Sequence, residues 1–265
     1  MDFQQLIFIS LANFSRYFLF AGLAFLIFYK LFPKYFFINK IQKKWAKQAD
    51  FIREIKHSIQ TIIVLIIVGL LILKTPLRDY TQFYTTLEAF PIWWIPVSVV
   101  LALVVHDSYF YWMHRSVHHP SVYAKVHRVH HQSTNPSPWA SYAFHFYEAV
   151  LEAMIAPILL FLIPMHPLSL LLFTIFAFMI NVYGHLGFEV APKWFRHSFL
   201  FELLNTSVHH NLHHEKFNGN YGLYFRVWDR LMQTEHPDYV KNYDQLQQER
   251  FATNTAVNAT VSSLD

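Results

Sequence analysis

The sequence predicts an all-α, polytopic membrane protein whose helices carry a cytoplasmic, histidine-rich cap able to hold two metal ions. Three observations lead there. Hydrophobic residues make up 54% of the 265 residues and charged residues only 14%, with a mean hydropathy of +0.23; globular chains are about 45–50% apolar. That depletion of charge, with 27 Phe, 15 Tyr and 7 Trp, describes a surface that meets lipid. Long apolar stretches alternate with polar loops, and fifteen of the seventeen histidines fall between His106 and His214.

The first apolar stretch, Leu6 to Phe32, is long enough to cross a hydrocarbon core of about 30 Å and is interrupted by Arg16, which either precedes the span or snorkels to the near interface. It follows only a few residues, which carry Asp2 and no Lys or Arg, and it lacks a small-residue cleavage site, so it reads as a retained anchor. Lys34 to His57 is dense in Lys and Arg and is therefore cytoplasmic by the positive-inside rule. Ile59 to Leu73 is the second span, and Lys74 to Glu88 a nearly charge-balanced loop on the far side. Ala89 to about Val105 crosses back with tryptophans near its start. Glu148 to Pro164 and Pro167 to Gly184 form a hairpin around Pro164-Met165-His166-Pro167, because two prolines there forbid a continuous helix. Counting crossings puts the basic loop and every histidine cluster on one side. The last stretch, residues 241–265, is polar and expected to end as a loose tail.

Helical spacing turns the histidines into a chemical proposal. Residues three or four apart share a helix face, so His114 and His118 converge, as do the members of His127-x-x-His130-His131 and of His210-x-x-His213-His214. Eight imidazoles are too many for one metal, which takes three or four ligands, and suit two. Eight buried imidazoles without partners, at about 1–3 kcal/mol each, would outweigh the roughly 5–15 kcal/mol that holds a domain together. His57, His166, His197 and His236 stand apart and read as ordinary core or surface histidines. With no cysteine, disulfides, thiolate zinc sites and thiolate-held clusters are excluded. Glycine-rich nucleotide loops and the His-Glu-x-x-His pattern of zinc proteases are absent, and the net charge of +4 is concentrated beside the spans, which sets nucleic acid aside.

The stretches HDSYFYWMHRSVHH, VYAKVHRVHH, HHNLHH and NYGLYFRVWDR, in this order over roughly Val104 to Glu235, resemble the fatty-acid hydroxylase and sterol desaturase superfamily of membrane di-iron enzymes. PSVYAKVHRVHH, SPWASYAFHFYE and HHEKFNGNYGLYFRVWDRL look most like its C-5 sterol desaturase branch. The resemblance implies a membrane anchor over residues 1–88, the family domain over 89–240 and the polar tail over 241–265. It implies iron ligation by His114, His118, His127, His130, His131, His210, His213 and His214, with His185 as a ninth ligand and His145 as a ligand or a support for one. His119 and His209 adjoin assigned ligands and could exchange roles with them, whereas His106 points elsewhere on its helix. Relatives more often carry a glycine where this chain reads Leu231-Met232-Gln233-Thr234.

Imidazole suits several metals; the membrane setting and the resemblance select two iron ions, with O2 as co-substrate for removing hydrogen from an unactivated C–H bond of a lipid. Neutral ligands leave the metals' charge uncompensated, so acidic neighbours are needed. Asp107 and Tyr111 share a helical face with His114 and His118 and are candidates to support the ligands, as are Glu148, Glu189, Glu202 and Asp229, although Glu189 and Glu202 also read as solvated loop charges. The chain has no haem or flavin motif, so an external electron donor is implied: a cytochrome b5, a ferredoxin or a similar reductase-fed carrier. The membrane would be the endoplasmic reticulum in a eukaryote or the inner membrane in a bacterium. The competing readings are a fatty-acyl, sphingolipid or ether-lipid hydroxylase of the same superfamily, a histidine-rich metal transporter, which should carry ionisable residues at mid-membrane depth, and a zinc hydrolase of membrane lipids.

Overall fold

In the computed structural model, residues 3–262 are described, with side chains for residues 4–252. Among the described residues, four helices are long and apolar enough to cross a bilayer. The first, α1 (Phe3–Phe25), continues through a wider turn at Leu26–Leu31, so that the candidate span is Gln4–Leu31. Arg16 does not break it: the guanidinium bonds back one turn to Asn13 Oδ1 at 2.9 Å. The second, α2 (Gln48–Leu73), starts where Asp50 accepts the Lys47 N–H at 3.0 Å, a carboxylate satisfying a free N–H at a helix start. The basic loop therefore ends at Lys47, and the polar stretch to His57 is the first turns of α2 rather than loop. The third, α3 (Trp94–Val117), runs well past the expected Val105 and carries His106, Asp107 and His114 within one rod.

After α3 come two short helices, α4 (Pro120–Val126) and α5 (Arg128–His131). The hairpin follows as α6 (Phe146–Ala153), α7 (Ile155–Leu162) and the fourth span α8 (Pro167–Gly184). Its first leg is thus two eight-residue helices that meet at Met154, not one rod. Pro167 opens α8, where a missing N–H costs nothing, and His166 Nδ1 accepts the Leu168 N–H at 3.1 Å. The cap closes with α9 (Ser207–Lys216), α10 (Val227–Leu231) and α11 (Tyr239–Ser262).

Contacts at the two ends of the bundle fix which loops share a side. At one end the hairpin turn lies against the loop between α2 and α3: Phe83 bridges to Met165 and Trp94 Nε1 donates to Pro164 O at 2.8 Å. At the other end the basic loop lies against the cap. Lys40 bridges to Phe188, Gln42 Nε2 donates to Thr134 O at 2.7 Å and Asn135 Nδ2 to Lys44 O at 2.8 Å. The crossing count and the packing agree.

Between the spans, Ile72, Val99, Leu159 and Phe173 form one buried cluster, and Tyr17, Ile62, Phe178 and Val182 a second nearer the cap. Outward, Ile67, Leu71, Val100 and Leu171 are half or more exposed, an outer surface fit only for lipid. The expected loose tail is corrected. Tyr239, Tyr243 and Leu246, spaced four and three along α11, share a face and are buried with Phe201, Val208 and Leu212. Three well-placed apolar groups suffice to seat a helix whose composition is otherwise polar. The end of that tail, residues 263–265, lies outside the described residues.

Candidate metal centre

The nine histidines assigned as ligands meet in the cap, in two groups. His114, His118, His127, His131 and His213 form one; His130, His185, His210 and His214 form the other; within each, one ring nitrogen per residue lies within 4.8 Å of all the others. All nine are buried except His118, which is partly open.

The two His-x-x-His-His runs do not each aim at one point, as spacing suggested. The i,i+4 pairs stay together, His127 with His131 and His210 with His214, while the histidine before each last residue, His130 or His213, turns to the opposite group. Adjacent residues on a helix diverge by about 100°, so one helical turn feeds two sites. The motifs interlock, and the groups are neighbours: the His131 and His214 ring centroids lie 4.8 Å apart.

Local structure aims the rings. Thr206 caps α9 by accepting the His209 N–H at 3.3 Å, and Phe217, at φ 61°, ends it. Beyond it Gly219 sits at φ +75°, where a Cβ would stand 2.6 Å from Thr234 O; glycine alone fits there. The sharp turn brings Gly219 O to His213 Nδ1 at 2.7 Å and Tyr221 O to His114 Nδ1 at 2.9 Å. Glu148 Oε1 lies 2.6 Å from His127 Nδ1, and Asn181 O 2.9 Å from His185 Nδ1.

Those outer partners decide the tautomer. A ring that donates from Nδ1 presents a bare lone pair at Nε2. His114 does so, and His127 does so when Glu148 is ionised; their Nε2 atoms face each other at 3.1 Å. Two lone pairs cannot form a hydrogen bond; a cation placed against them removes the conflict. Similar Nε2 pairs occur at 3.2 Å for His118 and His213, 3.0 Å for His210 and His185, and 3.1 Å for His214 and His210. Ligands about 2.0–2.1 Å from one metal stand about 3.0–3.4 Å apart. Burial also holds His130, His131, His210, His213 and His214 well below the ordinary imidazole range, which keeps them neutral and able to ligate.

Of the other candidates, Glu148 alone touches a histidine of the two groups. Asp107 instead accepts the Tyr224 and Phe225 N–H groups at 2.7 and 3.2 Å. Tyr111 hydrogen-bonds Thr234 at 2.9 Å. Asp229 accepts from Tyr221 N, Gly222 N and Thr234 Oγ1 at 2.9, 2.7 and 2.8 Å, so these acidic groups hold the turn that in turn holds the rings. His145 lies outside both groups and caps α6, accepting the Tyr147 N–H at 3.4 Å. Glu189 is no solvated charge: fully buried, it accepts from Tyr183 OH at 2.6 Å, Ala191 N at 2.9 Å and Val208 N at 3.4 Å, tying α8 to the start of α9. Glu202 is exposed and pairs with Arg230. His106 bonds Tyr224 OH at 2.8 Å, His119 caps α4, and His209 is buried apart from both groups. The backbone carbonyls of Asn181, Gly219 and Tyr221 could not be anticipated, since a carbonyl leaves no mark in side-chain identity.

A helical membrane bundle that carries two nests of neutral, lone-pair-bearing imidazoles is the architecture of a membrane metalloprotein. The chain belongs to the fatty acid hydroxylase family, whose family model matches residues 99–234, and its relatives place it in the C-5 sterol desaturase branch of the wider superfamily. It is 33% identical to lathosterol oxidase of Mus musculus over 76% of this chain and 70% of that protein. Against lathosterol oxidase of Homo sapiens it is 33% identical over 68% and 59%, and against a Delta(7)-sterol 5(6)-desaturase of Gibberella zeae 30% over 65% and 52%. The chain thus spans from about half to about two thirds of these relatives' lengths. No solved structure matches. The family and relatives support a membrane oxidoreductase that desaturates or hydroxylates lipid.

Proposed function

We propose that this chain is an O2-dependent, non-haem di-iron enzyme that desaturates a sterol-like lipid at C-5, with its centre on the cytoplasmic side. The observation that carries the reading is the pair of histidine groups, nine imidazoles divided five and four. His114, His118, His127, His131 and His213 would hold one iron, and His130, His185, His210 and His214 the other. Bound there, the irons would supply O2 activation and the oxidising power to take two hydrogens from adjacent carbons. The balance is one O2, two hydrogens from the lipid, and two electrons and two protons from outside, yielding two waters; hydroxylation is the variant in which one oxygen atom stays on the lipid. The electrons would come from an external carrier such as a cytochrome b5 or a ferredoxin.

The chain's own residues do the positioning. Glu148 and the carbonyls of Tyr221, Gly219 and Asn181 hold four of the imidazoles, His127, His114, His213 and His185, by Nδ1, so that the Nε2 of each stays directed inward. The acidic Glu148 beside His127 also offsets positive charge where the dielectric is low. The sterol preference rests on the relatives, whose names state activity on sterols. Residues 1–88 act as the anchor and 89–240 as the reacting domain.

Metal analysis of purified protein should find close to two irons per chain. His130→Ala and His213→Ala, which remove a ligand from different groups, should each lower metal content and abolish turnover; full metal retention in both would overturn the assignment. Membranes supplied with O2, a reductase-fed donor and a panel of sterols, ceramides and alkylglycerols should yield a sterol with one added ring double bond. A hydroxylated acyl or ether lipid with sterols untouched would move the chain to the hydroxylase reading.

A further inference from the structure

The outer face of α3 does not end where the cap begins. Val97, Val100, Leu101 and Val104 are exposed at steps of three and four, and after Ser108 the same stripe reaches exposed Trp112. At Ser108 the stripe is covered by α10: Trp228 Nε1 donates to Ser108 Oγ at 3.0 Å, and the Trp228 ring meets Trp112 edge-on with centroids 5.6 Å apart.

Over that seat α10 presents a new apolar face. Val227 and Leu231, one turn apart, and Met232 are exposed, Leu231 at 67%. Its charges are buried or paired. Arg226 is fully buried and bonds Glu235 at 2.6 and 2.9 Å, Asp229 takes backbone N–H groups inside, and Arg230, itself exposed, is paired with Glu202.

Depth follows from helix geometry. At 1.5 Å per residue, Ser108 lies about 21 Å and Trp112 about 27 Å along α3 from Trp94, inside a hydrocarbon core of about 30 Å. A surface facing water at that level would expose three large apolar groups to no purpose, whereas a short helix that exposes apolar groups and keeps its charges buried or paired suits the lipid boundary.

We infer that α10 and Met232 form a membrane-dipping lip, seated among the acyl chains of the leaflet next to the cap and continuous with the lipid-facing stripe of α3. The lip stands one layer from the first histidine group. Trp228 stacks on Tyr111, with centroids 5.9 Å apart, and Asp229 holds the Tyr221 N–H beside the carbonyl that orients His114. The inference stands whichever lipid is oxidised, and its test is independent of turnover.

The protein has no cysteine, so single cysteines at Val227 and Leu231 can carry a bimane label in nanodiscs of brominated phosphatidylcholine. Val100 on the lipid face of α3 and Lys125 in the cap serve as references. The bromines should quench the label at both lip positions at least about half as strongly as at Val100, and leave Lys125 unquenched. Two results would overturn the lip: emission at 227 and 231 as aqueous as at Lys125, or shielded but unquenched emission that depends on protein concentration, which would mean a second copy covers the face. Either position suffices should the other substitution prevent folding, and unchanged metal content verifies the fold.

Discussion

Glu148 and Gln233 show how single residues set the geometry of the centre. Glu148 is buried against His127 Nδ1, so it decides where that ring's lone pair points. Glu148→Ala should weaken metal binding by about 10–100-fold, the usual effect of removing a ligand's outer partner, while Glu148→Gln, which keeps an acceptor, should lose less; metal titration of the purified variants separates them. Gln233 stands at φ 54°, in the left-handed region that favours glycine. A left-handed conformation costs a non-glycine residue about 1–2 kcal/mol. Gln233→Gly should therefore be neutral or raise Tm slightly, and Gln233→Val, branched at Cβ, should lower stability by about 1 kcal/mol or more. Equal Tm for the two variants would show that the turn relaxes. Lys40 adds a titration. Its ammonium is buried over the rings of Phe188, Trp45 and Tyr29 at 4.7, 4.9 and 5.4 Å, and burial lowers it from the ordinary value of 10.5 to about 8. Between about 8 and 10.5 the unfolded chain holds the proton that the folded chain has released, so stability should rise with pH across that window and the penalty is fully present below it. Lys40→Met should flatten that rise in a thermal-melt series; an unchanged slope would refute the assignment.

At the scale of elements, the centre depends on how short helices are started and stopped. The chain places a capping side chain before α4, α6, α8 and α9, namely His119, His145, His166 and Thr206. Three of these are histidines, which explains how an imidazole-rich sequence can hold imidazoles outside the metal groups. The Thr206 cap bears on the site most directly, since α9 carries His210, His213 and His214. Thr206→Ala should cost about 1 kcal/mol and loosen metal retention, whereas Thr206→Ser should restore both. Retention unchanged in Thr206→Ala would mean that Glu189, which reaches the Val208 N–H, holds the helix start unaided.

Across the whole molecule, the spans deliver the basic loop and the histidine cap to one end of the bundle, joined by Lys40, Gln42 and Asn135. Single cysteines at exposed Lys44 and Asn218 should therefore react with an impermeant thiol reagent from the same side, the cytoplasmic one if the proposed function is right. Labelling from opposite sides would contradict the packing, and labelling of both from outside would move the centre to the other compartment.

Residue identity alone determined the chemistry: only a side chain can supply an imidazole, so all nine members of the two groups were legible from their spacing and from the resemblance. The spans were legible because lipid requires long apolar runs, although α3 passed its expected end, since a helix that buries one face in a cap needs no further hydrophobicity to continue. Folding in three dimensions decided the rest. Which histidine joins which group depends on the direction a ring takes from its helix, and consecutive residues such as His130 and His131 diverge however alike they look in sequence. Which rings are held, and in which tautomer, depends on the carbonyls of Gly219, Tyr221 and Asn181, groups every residue carries and whose placement only the tertiary structure creates.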